Sequence, residues 1–303
     1  MPIRVHNVEQ VRKAVLPRLA HVRELLALPL GRIEKLPRTR AAQHPLVRAL
    51  EAAEHWVNRP DLATAPIEGY VVEAAGLGVL IDARGADPGL RELIAGMVDP
   101  DQYLHALGVL GVAHTLQEGL PRIEQLSLVR QDPTKSGPIP DLHLSFDGGH
   151  RLSVEAKAPR FLHWPRRPVT RRIARGCVRH AISEAAGRVK SQLPKDSPGL
   201  VALASFGVDD PGIELLRAEA DSFLKNHSQN DEFLMGVLFV DFRRRGTLEL
   251  APNQPGPAGS FELAAGVFWS RHLRMAHNPG YRGKFKIGLQ NGHSAAKEQL
   301  DFA

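Results

Sequence analysis

Apolar residues recur along the chain with two different periods, and the changes of period divide it into elements. Over residues 6–28, Val8, Val11, Val15, Leu19, Val22 and Leu26 fall on one helical face. Leu46, Leu50, Ala53 and Val57 form a second stripe over 45–57, which Asn58-Arg59-Pro60-Asp61 ends. Residues 70–72 and 79–81 are predicted as short strands, with Gly76 and Gly78 in a plain turn between them. That Gly-x-Gly lacks the third glycine and the following helix that a nucleotide loop needs. A short helix is predicted over 88–98. The next helix is better marked: Asp99 caps it, Pro100 takes its first position, Gln102 completes a capping box, and Gly119-Leu120-Pro121 stops it after Glu118. Gly108 and Gly111, beside Leu104 and Leu107, would let this helix pack closely on a sheet.

The period then shortens. Residues 123–129 read as a strand, followed by a polar, proline-rich loop at 132–138. Residues 140–157 read as a hairpin, with Leu142, Leu144 and Phe146 alternating with Asp141, His143 and Ser145. On its second arm Leu152, Val154 and Ala156 alternate with Ser153, Glu155 and Lys157. A helix over 170–193 carries the stripe Ile173, Cys177, Ala181, Ala185 and Val189. Residues 200–206, apolar on both faces, suit a buried central strand. A helix over 210–226, a strand over 233–242, a partner for it at 247–250, a loop at 253–259 and a last strand over 261–269 complete the chain, which contains no internal repeat.

The hairpin concentrates the chemistry. Two carboxylates and an ammonium on one sheet face are what a hard divalent cation and a hydrolytic water require. Asp141 and Glu155 share a face only in one register. A two-residue loop at Gly148-Gly149 would set Asp141 opposite Ala156 and divide the acids between faces. A three-residue loop, Asp147-Gly148-Gly149, pairs Phe146 with His150 and Asp141 with Glu155, and glycine suits the left-handed position of that turn. The three-residue loop is therefore predicted. Mg2+ (or Mn2+) would take oxygen from Asp141, Glu155 and the carbonyl of Ala156.

Composition changes this picture little, and charge changes it more. The 303 residues can bury a large core, and the single cysteine, Cys177, rules out an intrachain disulfide and a multi-cysteine zinc cage. No apolar run approaches the roughly 18 residues of a membrane span. Arg4, His6, Glu9, Arg12 and Lys13 interrupt any signal-peptide core, so a cytoplasmic setting is expected. The net charge of +6 is unevenly spread: residues 60–157 carry 14 acids against 7 bases, whereas 158–193 carry 9 bases against 1 acid. A cationic stretch beginning just after an acidic cradle suits a polyanionic phosphodiester.

Pro140-Asp141 followed by Glu155-Ala156-Lys157 at the end of the next strand resembles the PD-(D/E)xK (restriction-endonuclease-like) phosphodiesterase superfamily, over roughly residues 100–206. The resemblance implies an α/β fold whose core runs α-β-β-β-α-β, a mixed central sheet flanked by helices. Here that core would occupy 99–206, after a mainly helical accessory region (1–98) and before C-terminal strands that extend the sheet (207–303). It implies a metal-dependent nuclease, acting on DNA by in-line attack and leaving 5′-phosphate and 3′-hydroxyl ends. Lys157 would orient the attacking water, and Glu118, at the end of the first core helix, matches an acid that many members place near the metal. Members also place a polar site residue on the second core helix, where His180, Lys190 and Gln192 all qualify.

Arginines supply the expected substrate contacts. Arg171, Arg175 and Arg179 recur every four residues along one side of the second core helix, and Arg160, Arg166 and Arg167 precede them. Such side chains grip phosphate without reading sequence. Trp164, after Phe161-Leu162, could stack a base but suits packing better. Nucleic acid, expected to be DNA, is thus the partner, a membrane is not, and a homodimer is left open. Two rivals stand: a non-catalytic nucleic-acid-binding or regulatory module on this fold, and an RNA-directed nuclease. No His-Glu-x-x-His pair and no Gly-x-Ser-x-Gly elbow points to other hydrolases.

Overall fold

The computed structural model describes residues 8–58, 65–120, 123–129, 139–187, 191–227, 232–244, 260–263 and 267–283. The elements run, in order, α1 (Val8–Leu25), α2 (Ala27–Ile33), α3 (Arg38–Gln43), α4 (Pro45–Asn58), α5 (Ala65–Asp82), α6 (Leu90–Gly96), α7 (Pro100–Gly119), β1 (Ile123–Leu128), β2 (Leu142–Phe146), β3 (His150–Lys157), α8 (Arg171–Ala186), β4 (Gly199–Phe206), α9 (Asp210–His227), β5 (Leu234–Arg244), β6 (Ser260–Leu263) and β7 (Val267–His277). Among the described residues the strands form one sheet in the order β1-β2-β3-β4-β5-β7-β6. The β1-β2, β2-β3, β5-β7 and β6-β7 pairs are antiparallel, and β3-β4 and β4-β5 are parallel. This is an α/β fold on a mixed, open sheet, with helices on both faces.

Two apolar layers hold it. On one face, alternate residues of β2, β3 and β4 (Leu142, Leu144, Leu152, Val154, Leu200 and Ala202) pack with α7 and the N-terminal helices. On the other, Val201, Leu203, Val237 and Phe239 pack under α8 and α9. Period-2 alternation sends each strand's side chains to both layers, so β4 is buried at every position. The α7 helix lies between sheet and N-terminal helices. Asp99 caps it by accepting from the amides of Asp101 and Gln102 at 2.9 and 3.1 Å. Its glycines admit the sheet: a Cβ on Gly108 would stand 2.7 Å from Ala158 Cβ, and one on Gly111 would stand 2.5 Å from Phe242 Cζ.

Several sequence expectations need correction. Residues 70–72 and 79–81 are not strands around a turn but parts of α5, whose Glu73, Ala74, Leu77, Gly78, Leu80 and Ile81 are all buried. A helix enclosed on several sides lacks a polar stripe, so its period is hidden. The helix expected over 170–193 ends at Ala186, with Gln192 beyond it, while Val189 and Lys190 lie outside the described residues. The final strand expected over 261–269 is instead two antiparallel strands, and β7 is the one that pairs with β5. The strand expected at 247–250 lies outside the described residues. The region before residue 99 is mainly helical, as expected, and shares one continuous apolar core with the sheet.

Candidate functional site

The hairpin takes the predicted register. Phe146 pairs with His150 and Leu142 with Val154, so Asp141, one residue before β2, falls opposite Glu155. The Asp147–Gly149 turn has Gly148 at φ 82° and Gly149 at φ 77°, left-handed values that glycine adopts without steric cost. Beyond the last β2-β3 pair, the Ala156 amide donates to Asp141 Oδ2 at 2.9 Å. That bond turns the aspartate toward β3.

Six side chains meet there: Asp141, His105, Glu155, Lys157, Glu184 and Gln192. His105, in the second turn of α7, stands 3.2 Å from Asp141 Oδ1. Lys157 Nζ stands 3.0 Å from Glu155 Oε1, 3.3 Å from Glu184 Oε2 on α8, and donates to Gln192 Oε1 at 2.8 Å. Glu155 is fully buried, and its Oε2 has no hydrogen-bond partner among the described residues. The His105 side chain is 27% exposed and the Lys157 side chain 16%.

The electrostatics follow from this burial. Loss of water, reinforced by the Asp141 charge, pushes the Glu155 carboxyl up to about 8, although Lys157 pulls the other way. Burial opposes the charge on Lys157, yet Glu155, Glu184 and Asp141 outweigh it and hold the ammonium above its ordinary range. Burial likewise opposes a charged His105, and Asp141, with help from Glu155, overcomes it and raises the imidazole. Three carboxylates thus face one ammonium and one imidazole. A buried acid oxygen without a partner is costly, and an added cation would satisfy it.

Among the described residues no group of three or more His, Cys, Asp and Glu side chains is gathered so as to hold a metal alone. Magnesium does not need such a cage, since it keeps several waters and takes one or two protein carboxylates. Asp141, Glu155 and the Ala156 carbonyl fit that requirement, and the unpartnered Oε2 is the observation in its favour.

The other predicted residues divide. Glu118 is not brought to this point: it pairs with His114 at 3.0 Å on its own helix, and 13 residues separate it from His105, roughly 20 Å of helix. Among the three polar candidates that sequence left open, Gln192 touches Lys157, from the segment after α8. His180 pairs with Glu184 at 3.2 Å, one step from the lysine. Arg171 and Arg175, with side chains 72% and 48% exposed, both bond Glu219 of α9, at 2.5 and 3.0 Å. Arg160, Arg166, Arg167 and Arg179 are exposed and pair with no described residue. Trp164 donates its indole N–H to Glu73 Oε2 at 2.7 Å and packs against Phe206, a structural role. His105 and Glu184 were not foreseen. His105 is one of 14 histidines with no spacing to mark it, and only the packing of α7 on β3 brings it to Asp141.

Comparison with protein-family models, with curated proteins and with solved structures finds no match to this chain. Its class is therefore that of its architecture: an α/β protein with a mixed open sheet between helical layers. Among the described residues no helix is long and apolar enough to cross a membrane.

Proposed function

We propose that the protein is a metal-dependent nuclease of the PD-(D/E)xK type, hydrolysing phosphodiester bonds in DNA. The observation that carries this reading is the meeting of Asp141, Glu155 and Lys157 across one hairpin, with a buried carboxylate oxygen left unpartnered. The succession α7-β1-β2-β3-α8-β4, antiparallel up to β3 and parallel from β3 to β4, supports it, because that is the order the motif implies.

Asp141, Glu155 and the Ala156 carbonyl would hold Mg2+ or Mn2+. When bound, the ion polarises the phosphate and lowers the pKa of a coordinated water. The Asp141 carboxylate is oriented by the Ala156 amide and by His105. Lys157, kept charged by its neighbours, holds the attacking water and offsets the charge that develops on the phosphate oxygens. Gln192 and Glu184 fix the ammonium in place.

One observation favours the rival, a nucleic-acid-binding module without catalysis. Lys157 already has three partners, as a purely structural ion pair would. Incubation of mixed DNA substrates with Mg2+ separates the two. The wild type is expected to cleave, and Asp141→Asn and Lys157→Ala to lose at least about 100-fold in rate. Equal behaviour of all three proteins ends the nuclease proposal, binding without cleavage favours the module, and a parallel RNA arm tests the RNA-directed alternative.

A further inference from the structure

The geometry points to Phe161 as a base-stacking residue, which takes an unpaired nucleobase of a single-stranded segment close to the scissile phosphate. The inference rests on the nuclease reading of the site. Phe161 is 73% exposed, the most exposed of the large apolar side chains among the described residues. It sits in a tight turn, Arg160–Leu162, that begins three residues after Lys157.

The turn is anchored immediately after the ring. Leu162 is completely buried, and its amide donates to the Pro159 carbonyl at 2.8 Å. Next along the chain, His163 and Trp164 both bond Glu73 Oε2 at 2.7 Å, and the Trp164 amide donates to the Phe206 carbonyl at 2.8 Å. Trp164 holds φ at 44°, a left-handed value that a bulky residue adopts only when its surroundings impose it. A backbone so tightly fixed could have turned the Phe161 ring inward, and it presents the ring to water instead.

The residues that flank Phe161 in the chain select the partner. Residues 158–169 contain Arg160, Arg166 and Arg167 and no acid. All three arginines are exposed and pair with no described residue. Among the described residues the other exposed large apolar side chains, Leu16 and Leu28, belong to the N-terminal helical region, so none of them extends an apolar patch around Phe161 of the size a protein interface needs. An exposed aromatic face in a segment that carries arginines and no acid suits a base that stacks while its phosphates are gripped. Phe161 follows Lys157 by four residues, so their Cα atoms lie within about 14 Å of each other.

The test compares wild type, Phe161→Ala, Phe161→Trp and Arg166→Ala in EDTA. The probes are a single-stranded oligonucleotide carrying 2-aminopurine and a blunt duplex of the same sequence. Phe161→Ala is expected to weaken single-strand binding by about tenfold or more and to remove the 2-aminopurine quench, with duplex binding and salt dependence unchanged. Phe161→Trp restores both signals. Arg166→Ala keeps the quench and lowers the single-strand salt slope by about 0.7. Unchanged single-strand binding by Phe161→Ala, or equal losses on single strand and duplex, overturns the inference. So does a wild type that binds neither probe, or a Phe161→Ala effect confined to self-association. The Mg2+ assay keeps the two readings apart: stacking by a wild type that never cleaves defeats the nuclease alone, and full cleavage with an indifferent Phe161 defeats the stacking alone.

Discussion

Glu155 is a buried carboxyl with one lysine beside it and a second acid across the hairpin, and this makes it a liability in the metal-free protein. Its folded-state pKa is raised from 4.5 to about 8 by burial first and by Asp141 second. A carboxyl shifted upward contributes stability that is full below its unfolded value and is lost as pH rises through the folded value. Glu155→Gln should therefore stabilise the metal-free protein, by about 1–3 kcal/mol at alkaline pH, with a gain that grows between about pH 4.5 and 8. Lys157 does not become an orphan in this variant, because Glu184 and Gln192 still hold it. Urea unfolding in EDTA across that range measures the gain, and a variant less stable than wild type at every pH contradicts the account. Cleavage should be lost in the same variant, since an amide cannot supply the anionic ligand. At this scale the site was legible where the chemistry was local. Asp141, Glu155 and Lys157 lie on two adjoining strands, so alternation and loop length were enough to align them. His105 and Glu184 come from helices distant in sequence, and nothing in their neighbours marks them.

The elements most readily read from sequence were those with one wet face or a distinct terminus. Asp99 and Pro100 announced α7, the diglycine turn set the β2-β3 register, and unbroken apolarity identified β4. The longest element missed was α5, whose glycines look like a turn and whose apolar positions follow no single stripe. Its place becomes clear from Glu73, which is fully buried and accepts from Tyr103 Oη at 2.5 Å, from His163 Nε2 and from the Trp164 indole. This carboxylate joins α5, α7 and the segment after β3. Burial alone would raise its pKa, but His163, Tyr103 and Trp164 together hold it below the ordinary value. A depressed carboxyl contributes stability above its unfolded value, near 4.5, that is lost as pH falls through the folded value. Glu73→Gln is thus expected to cost about 3 kcal/mol near neutral pH, with the difference from wild type shrinking under acid. Parallel unfolding curves near neutrality and below pH 4.5 check it. A difference that does not narrow toward acid would show that the carboxylate charge is not what locks these elements.

For the whole molecule, the apolar core runs across the boundary expected at residue 98/99. Leu19, Val22, Leu46, Leu50, Leu77 and Ile81 of the N-terminal helices belong to the same apolar cluster as Leu107 and Leu110 of α7 and Leu144, Val154 and Phe242 of the sheet. The α7 helix is buried at nearly every position from Tyr103 to Leu116 because it has a layer on each side. Removing residues 1–98 would expose one of those sides and take away Glu73, leaving His163 and Trp164 without the carboxylate that fixes them. Each large apolar side chain returned to water forfeits about 1.5–3 kcal/mol. Uncovering even a few of them would consume the roughly 5–15 kcal/mol that a domain has in total. The full chain is accordingly expected to unfold in one cooperative transition, with tryptophan fluorescence and far-ultraviolet circular dichroism coinciding. The fragment 99–303 should neither unfold cooperatively nor remain soluble, although it retains Asp141, Glu155 and Lys157. A fragment that melts sharply on its own and still cleaves DNA would restore the sequence boundary and make the N-terminal helices a true accessory. If the fragment collapses, the helices are instead the second wall of the core that positions α7, and α7 is what sets His105 against Asp141.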